Sequence, residues 1–145
     1  MRNGKKIGIT AGAFDLCHAG HMMMFEEARS QCDFLIVALH TDPKIDRPLT
    51  KNQPIMSVEE RLIILSAIKF IDEIIVYTTE AELYDILKKN EYDIDVRILG
   101  VEYKDKEFTG HDLPLAVYFN SREHTFSTTS LRERVYEAEK VKRGL

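Results

Sequence analysis

An α/β fold with a doubly wound, five-stranded parallel sheet is what the sequence predicts, on three observations. Short apolar runs alternate with cap-started helical segments from one end to the other. One of these runs, Phe34-Leu35-Ile36-Val37-Ala38-Leu39, contains no polar residue, as expected of a strand covered on both faces. No fixed-period repeat, low-complexity tract or Gly/Ser/Pro-rich linker divides the 145 residues, so a single domain over 1–145 is expected.

The elements follow in order. Lys6 to Thr10 is a short apolar strand that runs into Ala11-Gly12-Ala13. A helix over Gly20 to Ser30 places His21, Phe25 and Ala28 on one face. The second strand, 34–39, ends at the turn Thr41-Asp42-Pro43. Residues 43–56 form a polar loop with Pro43, Pro48 and Pro54 and the cations Lys44, Arg47 and Lys51. Ser57-Val58-Glu59-Glu60 is a capping box, and Val58, Leu62 and Leu65 mark the buried face of the helix it starts. Glu73 to Tyr77 is the third strand, and Thr79 with Glu82 caps a third helix reaching about Lys89. Val96 to Leu99 is the fourth strand, with a long loop through Asp112 behind it. Leu115 to Phe119 is the fifth strand. The Ser127-Thr128-Thr129-Ser130 cluster opens a terminal helix that frays near Lys142. In such folds ligands sit beyond the carboxyl ends of the strands, so chemistry is expected in 11–21, 40–56, 100–112 and 120–130.

Composition narrows the function. The 44% hydrophobic and 30% charged content is that of a soluble globular chain, and a net charge of −4 argues against a general nucleic-acid or acidic-membrane binder. No apolar run is long enough to span a bilayer, and residues 1–6 lack a signal-peptide core. Two cysteines, Cys17 and Cys32, make no disulfide framework, which points to the cytoplasm. A zinc site from Cys17, His18, His21 and Cys32 matches no ligand spacing, and no protein-held metal is expected.

The most informative segment is Gly12-Ala13-Phe14-Asp15-Leu16-Cys17-His18-Ala19-Gly20-His21. It joins a strand to a helix start, where backbone N–H groups and the helix dipole favour phosphate. It is neither GxGxxG nor a Walker A loop. His18 and His21 can both project toward an anion there, with Gly20 permitting close approach, and donate to oxygens that gain charge in phosphoryl transfer.

Gly12-Ala13-Phe14-Asp15 followed by His18-Ala19-Gly20-His21 resembles the HxGH signature of the cytidylyltransferase family of nucleotidyltransferases. Arg122 ahead of Ser127-Thr128-Thr129 is similar to that family's second motif. Glu60-Arg61 matches a pair that members carry on the helix after strand two, and Lys51 lies where the family places a functional lysine. The resemblance spans nearly the whole chain and is nearest to the glycerol-3-phosphate type. It implies a Rossmann-like sheet, a homodimer, and transfer of CMP from CTP to a small phosphorylated alcohol with release of pyrophosphate. It also implies magnesium accompanying the nucleotide. Ala13 and Phe14 would supply the turn beneath the nucleotide, with Gly20 in the nucleotide site. His18 and His21 would stabilise the α-phosphoryl transition state, Lys51 would act in catalysis by bridging acceptor and α-phosphate, and Lys44 would help bind the acceptor. Arg122, Ser127, Thr128 and Thr129 would hold the triphosphate. Asp15 and Arg61 are support residues in this reading, Asp15 accepting backbone N–H bonds and Arg61 pairing with an acid.

Some positions depart from the pattern. Ala13 stands where cytidylyltransferases usually carry Thr and heptose-phosphate adenylyltransferases often carry Cys, which leaves AMP transfer from ATP to a sugar phosphate open. Gly100-Val101-Glu102-Tyr103 keeps one acid of a Gly-Asp-Asp-Trp segment, and Thr125 replaces a glycine. A non-catalytic nucleotide-binding domain is the alternative of another class. His40, His111 and His124 are expected to be surface or core residues.

Overall fold

The computed structural model describes residues 1–145. Strands β1 (Ile7–Gly12), β2 (Phe34–His40), β3 (Glu73–Tyr77), β4 (Val96–Gly100) and β5 (Ala116–Asn120) form one sheet in the order β3-β2-β1-β4-β5. Every neighbouring pair is parallel. Helices α1 (Ala19–Ser30), α2 (Val58–Ser66), α3 (Glu80–Lys89) and α4 (Thr128–Arg143) supply the connections and the C-terminal element. The strands and helices fall where the sequence places them, to within a residue or so. A 3-10 turn over Val101–Tyr103 inside the long loop after β4 is the addition. No helix is long and apolar enough to cross a membrane.

The apolar run of β2 has a direct explanation. Leu35, Val37 and Leu39 join a cluster with Phe25 and Ala28 of α1 and Leu65 of α2. Ile36 and Ala38 point the other way, into a cluster with Ile7, Ile9 and the α3 residues Leu83 and Leu87. With helices on both faces, alternation of polar and apolar residues would bury unsatisfied polar groups, so the strand has none before His40 at its carboxyl end.

Along α2 the buried face differs from expectation in one position. Leu65 is buried and Val58 and Leu62 pack at the edge of the core, but Arg61 is the largest fully buried side chain in the molecule. At the other end, α4 buries no residue completely. Its first turn is nonetheless pinned under α1, and that contact belongs to the site.

The strand order reverses at β1, which pairs with β2 on one side and β4 on the other. A crevice therefore opens beyond the carboxyl end of β1, between loops that leave in opposite directions.

Candidate active site

Helix α1 begins with an unusual cap. His18 is the N-cap residue, and its Nδ1 accepts a hydrogen bond from the Gly20 amide at 3.0 Å. The His21 ring returns the contact, its Nδ1 accepting from the His18 amide at 3.1 Å. Imidazoles thus perform the reciprocal bonding that Ser and Glu perform in a capping box. The two rings lie 4.1 Å apart between centroids.

This cap dictates the tautomers. A backbone N–H directed at Nδ1 requires a lone pair there, so in each neutral ring the proton sits on Nε2. His18 Nε2 lies 3.1 Å from Thr128 Oγ1, tying the start of α4 to the start of α1. Burial is the main reason that both rings resist protonation. The His21 pKa falls to about 4, with His18 adding to the effect, and that of His18 falls below its ordinary value with help from His124 and Arg122. Both rings are neutral donors at pH 7. Of the backbone N–H groups expected to favour phosphate at this helix start, the Gly20 amide is already taken by His18, so a ligand here meets the His21 Nε2–H instead. Gly20 itself is required by close packing: a Cβ there would lie 2.8 Å from the His124 ring and 2.9 Å from that of His18.

Acid sensitivity follows from the His21 value. Between about pH 4 and the ordinary histidine value of 6.5, the unfolded chain binds a proton that the folded protein excludes. Stability then rises with pH through that window and is lost on acidification. Replacing His21 with Gln is expected to flatten a urea-unfolding profile between pH 4 and 6.5, by at most about 1.4 kcal/mol per pH unit, the limit for one proton. Equal slopes for the two proteins would contradict the assignment.

Two cavities open beside these rings. The smaller, about 320 Å³, is lined by His18, Gly20, Met23, Arg122, His124 and Ser127, among others. The larger, about 800 Å³, includes Ala13, Asp15, His40, Lys51, Arg97 and Arg132. His21, Met24, Gly100, Glu102 and Thr128 line both, so the spaces are contiguous and His21 stands at their junction. Phe14 lies beneath this junction in a left-handed turn at φ 51. It is 8% exposed, and its ring packs on Phe25 and against the edge of His21, so it backs the site more than it offers a face to a ligand.

Arg61 explains why the walls stay in place. Its Nη1 donates to the carbonyls of Ala13 at 3.0 Å and His40 at 2.8 Å, and its Nη2 to that of Thr41 at 2.7 Å. Its Nε reaches the carbonyls of Met56 and Ser57 at 3.2 and 3.4 Å. The expected acid partner is thus replaced by five backbone carbonyls from three segments. Each partner is a neutral dipole, and carbonyls spread over three segments call for the several donors of a planar fork. Asp15 performs the complementary task, accepting from the amides of Ile55 at 2.8 Å and Met56 at 2.9 Å.

Other expected residues are placed less centrally. Lys51 is exposed at the edge of the larger cavity, whereas Lys44 lines neither cavity and points to solvent. Ser127 caps α4, accepting from the Ser130 amide at 3.0 Å, and lines the smaller cavity. Thr129 turns outward on the first turn of α4 and lines neither, so it is not among the groups gathered here. Arg122 lines the smaller cavity from a left-handed backbone at φ 50.

Sequence reading passed over several residues that the fold brings in. His124, expected to be an ordinary surface or core residue, faces Gly20 and His18. Glu27 fixes the loop after β5 by accepting from Tyr118 Oη at 2.9 Å and from Ser121 N and Oγ at 2.9 and 2.8 Å. Arg97 lies on the floor of the larger cavity. Glu27 and Arg97 sit inside a helix and a strand, outside the searched loops, so no motif pointed to them.

His40, Asp46 and Glu80 offer ligand atoms within 4.8 Å of one another, and this is the cluster where a protein-held cation could be sought. Asp46 already accepts from the Glu80 amide at 2.8 Å. Glu80 accepts from Thr109 Oγ1 at 2.7 Å, with Arg47 3.5 Å away. An imidazole, two engaged carboxylates and an arginine do not fit magnesium, which takes hard oxygen ligands and retains several waters. A magnesium ion suits the oxygens of a bound triphosphate better than this cluster.

The sequence and the fold are similar to those of known proteins. A family model described as cytidylyltransferase-like matches residues 9–134. The bifunctional protein HldE of Campylobacter jejuni subsp. jejuni serotype O:6 is 35% identical over 136 residues, covering 92% of this chain and 28% of that protein. HldE of Wolinella succinogenes is 36% identical over 110 residues, covering 76% of this chain and 23% of that one. The chain spans under a third of the length of these relatives. Among solved structures, the lipopolysaccharide core biosynthesis protein from Thermoplasma volcanium GSS1 superimposes with a TM-score of 0.67 at 22% identity, covering 83% of this chain and all of that one.

Proposed function

The chain belongs to the cytidylyltransferase-like family, and from that premise we propose that it transfers CMP from CTP to a small phosphorylated alcohol, glycerol 3-phosphate or a near relative, releasing pyrophosphate. One observation carries the reading: His21, a neutral Nε2–H donor, stands where two contiguous cavities meet. A reaction that joins two phosphorylated substrates needs such a junction.

In this reading the nucleotide occupies the smaller cavity, with Arg122 and Ser127 meeting its phosphates. The acceptor enters the larger one past Lys51. A phosphate oxygen of the acceptor attacks the α-phosphorus, the bond from that phosphorus to the bridging oxygen breaks, and pyrophosphate leaves with the electron pair. No covalent intermediate with the protein forms. His21 donates from Nε2 to the α-phosphoryl oxygens as their charge grows, His18 joins it by exchanging the Thr128 hydroxyl for a phosphoryl oxygen, and the cations hold the two reactants in line. Magnesium, entering on the triphosphate, would supply charge neutralisation of the leaving group. We place the reaction in the cytoplasm, in keeping with two unpaired cysteines, and include a homodimer in the proposal.

A second reading is favoured by Ala13, whose methyl offers no hydroxyl at the position where cytidylyltransferases usually carry Thr: AMP transfer from ATP to a sugar phosphate. Pyrophosphate release with magnesium, glycerol 3-phosphate and each of the four nucleoside triphosphates separates the readings. Release with CTP alone is the expected result, and release with ATP alone makes the second reading the correct one. If a panel of phosphorylated acceptors gives no release with any nucleotide, both fail. Lys51→Ala is expected to raise the acceptor KM and lower kcat together. An unchanged kcat/KM for the acceptor would remove Lys51 from the site.

A further inference from the structure

We propose that the preferred acceptor is a relative of glycerol 3-phosphate that carries a second anionic group, a carboxylate or an additional phosphate, with glycerol 3-phosphate itself the weaker substrate, and that this second group docks on Arg97 at the floor of the larger cavity. The inference rests on the transfer reading for the identity of the acceptor, but the docking group is argued from Arg97 alone.

Arg97 lies within β4, paired with Ile9 of β1 and Val117 of β5. It is 5% exposed. A guanidinium so deep is costly to desolvate unless a counter-charge or a full set of acceptors surrounds it. Arg97 has neither. Its five N–H donors make one hydrogen bond, from Nη1 to the Thr109 carbonyl. The ion pairs of the molecule all lie elsewhere, so no carboxylate oxygen is within 4.0 Å of it. Phe108 covers one face of the guanidinium, 5.2 Å from the ring centroid to Cζ. Arg61, the other buried arginine, makes the comparison plain, because all three of its nitrogens donate to carbonyls.

Nearby acids do not supply what is missing. Glu80 is bonded to Thr109 and faces Arg47, and Asp46 is bonded to the Glu80 amide. Glu102 and Glu107 sit on the exposed loop at the rim. What remains open to Arg97 is the cavity it lines. A planar fork with free donors, walled by an aromatic face, suits a carboxylate or phosphate approaching from that space. Lys51 and Arg132 line the same cavity and add positive charge. Two anionic ends on one small molecule would then be separated by function: one on Arg97 as an anchor, the other attacking.

Matched pairs of small phosphates test this: glycerol 3-phosphate against 3-phosphoglycerate, and fructose 6-phosphate against fructose 1,6-bisphosphate. Binding is read by calorimetry on the full chain, and pyrophosphate release is followed in parallel with CTP and with ATP. The expected result is at least tenfold tighter binding of the doubly anionic member of one pair. In Arg97→Met that advantage should fall to twofold or less, with the nucleotide KM unchanged and Arg97→Lys recovering part of it. Equal binding within both pairs, or an advantage that survives in a folded Arg97→Met, overturns the proposal. Tighter binding that depends on Arg97, with no pyrophosphate release from any pair, upholds the anion site and counts against the transfer reading. If Arg97→Met fails to fold, Arg97→Lys serves as the variant, and full retention of the advantage there together with unchanged binding geometry of both pairs overturns the proposal as well.

Discussion

His21→Ala is expected to lower turnover by two or more orders of magnitude while leaving the fold in place. The ring stands where the two cavities meet and presents a proton on Nε2, because Nδ1 is held by the His18 amide. A donor so fixed needs no reorganisation as charge develops, and losing one such group typically costs about 3–4 kcal/mol of barrier. The structural cost is smaller. One capping bond and the edge contact with Phe14 are lost, about 1 kcal/mol by analogy with other N-caps. Turnover from pyrophosphate release, set beside a circular-dichroism melt of the same sample, checks both halves. Near-normal turnover in a folded variant would remove His21 from the chemistry.

For Arg61→Met the expected order is reversed, with stability failing before chemistry can be judged. Methionine keeps much of the volume and supplies no donor, so the carbonyls of Ala13, His40 and Thr41 lose the partner they share. Each buried acceptor left alone costs about 1–3 kcal/mol, and the sum is a loss on the order of 3–5 kcal/mol after water enters. A fall of ten degrees or more in Tm is expected at this chain length, on a scale of roughly 2–8 °C per kcal/mol. Arg61→Lys is expected to recover little, because a single ammonium cannot reach carbonyls in three segments. A melt within a few degrees of the parent protein would show that these carbonyls find other partners.

The architecture is legible in the sequence because periodicity and caps agree at almost every element. The uninterrupted run of β2 announces burial on both faces, and Ser57 with Glu60 fixes the start of α2 as the structure has it. The site is legible where chemistry sits in loops, at His18, His21, Asp15 and Arg122. It is illegible where a charge is buried inside a regular element. Arg61 reads as a support residue paired with an acid and Arg97 as one position of a strand, and only the assembled fold shows that one satisfies carbonyls and the other lacks partners. The double imidazole cap was hidden for another reason. Histidine is not among the residues that usually cap helices, so the motif suggests ligands and conceals the bonds that orient them. Thr129 lies outside both cavities through helical geometry, since successive side chains on α4 point about 100° apart and Thr128 already takes the inward direction.

The central place of β1 also sets a timetable. Its neighbour β4 pairs Gly8 with Val96, and the Thr128 hydroxyl that meets His18 lies 110 residues downstream of it. At ribosomal rates of about 5–20 residues per second, the histidines wait roughly 5–20 s for the last wall of their site. Until β4 emerges, late in that interval, the β4 edge of β1 stands open beside Ile7 and Ile9, a template for pairing with another nascent chain. A cell making this protein quickly therefore has to shield its first strand before it has an active site to protect.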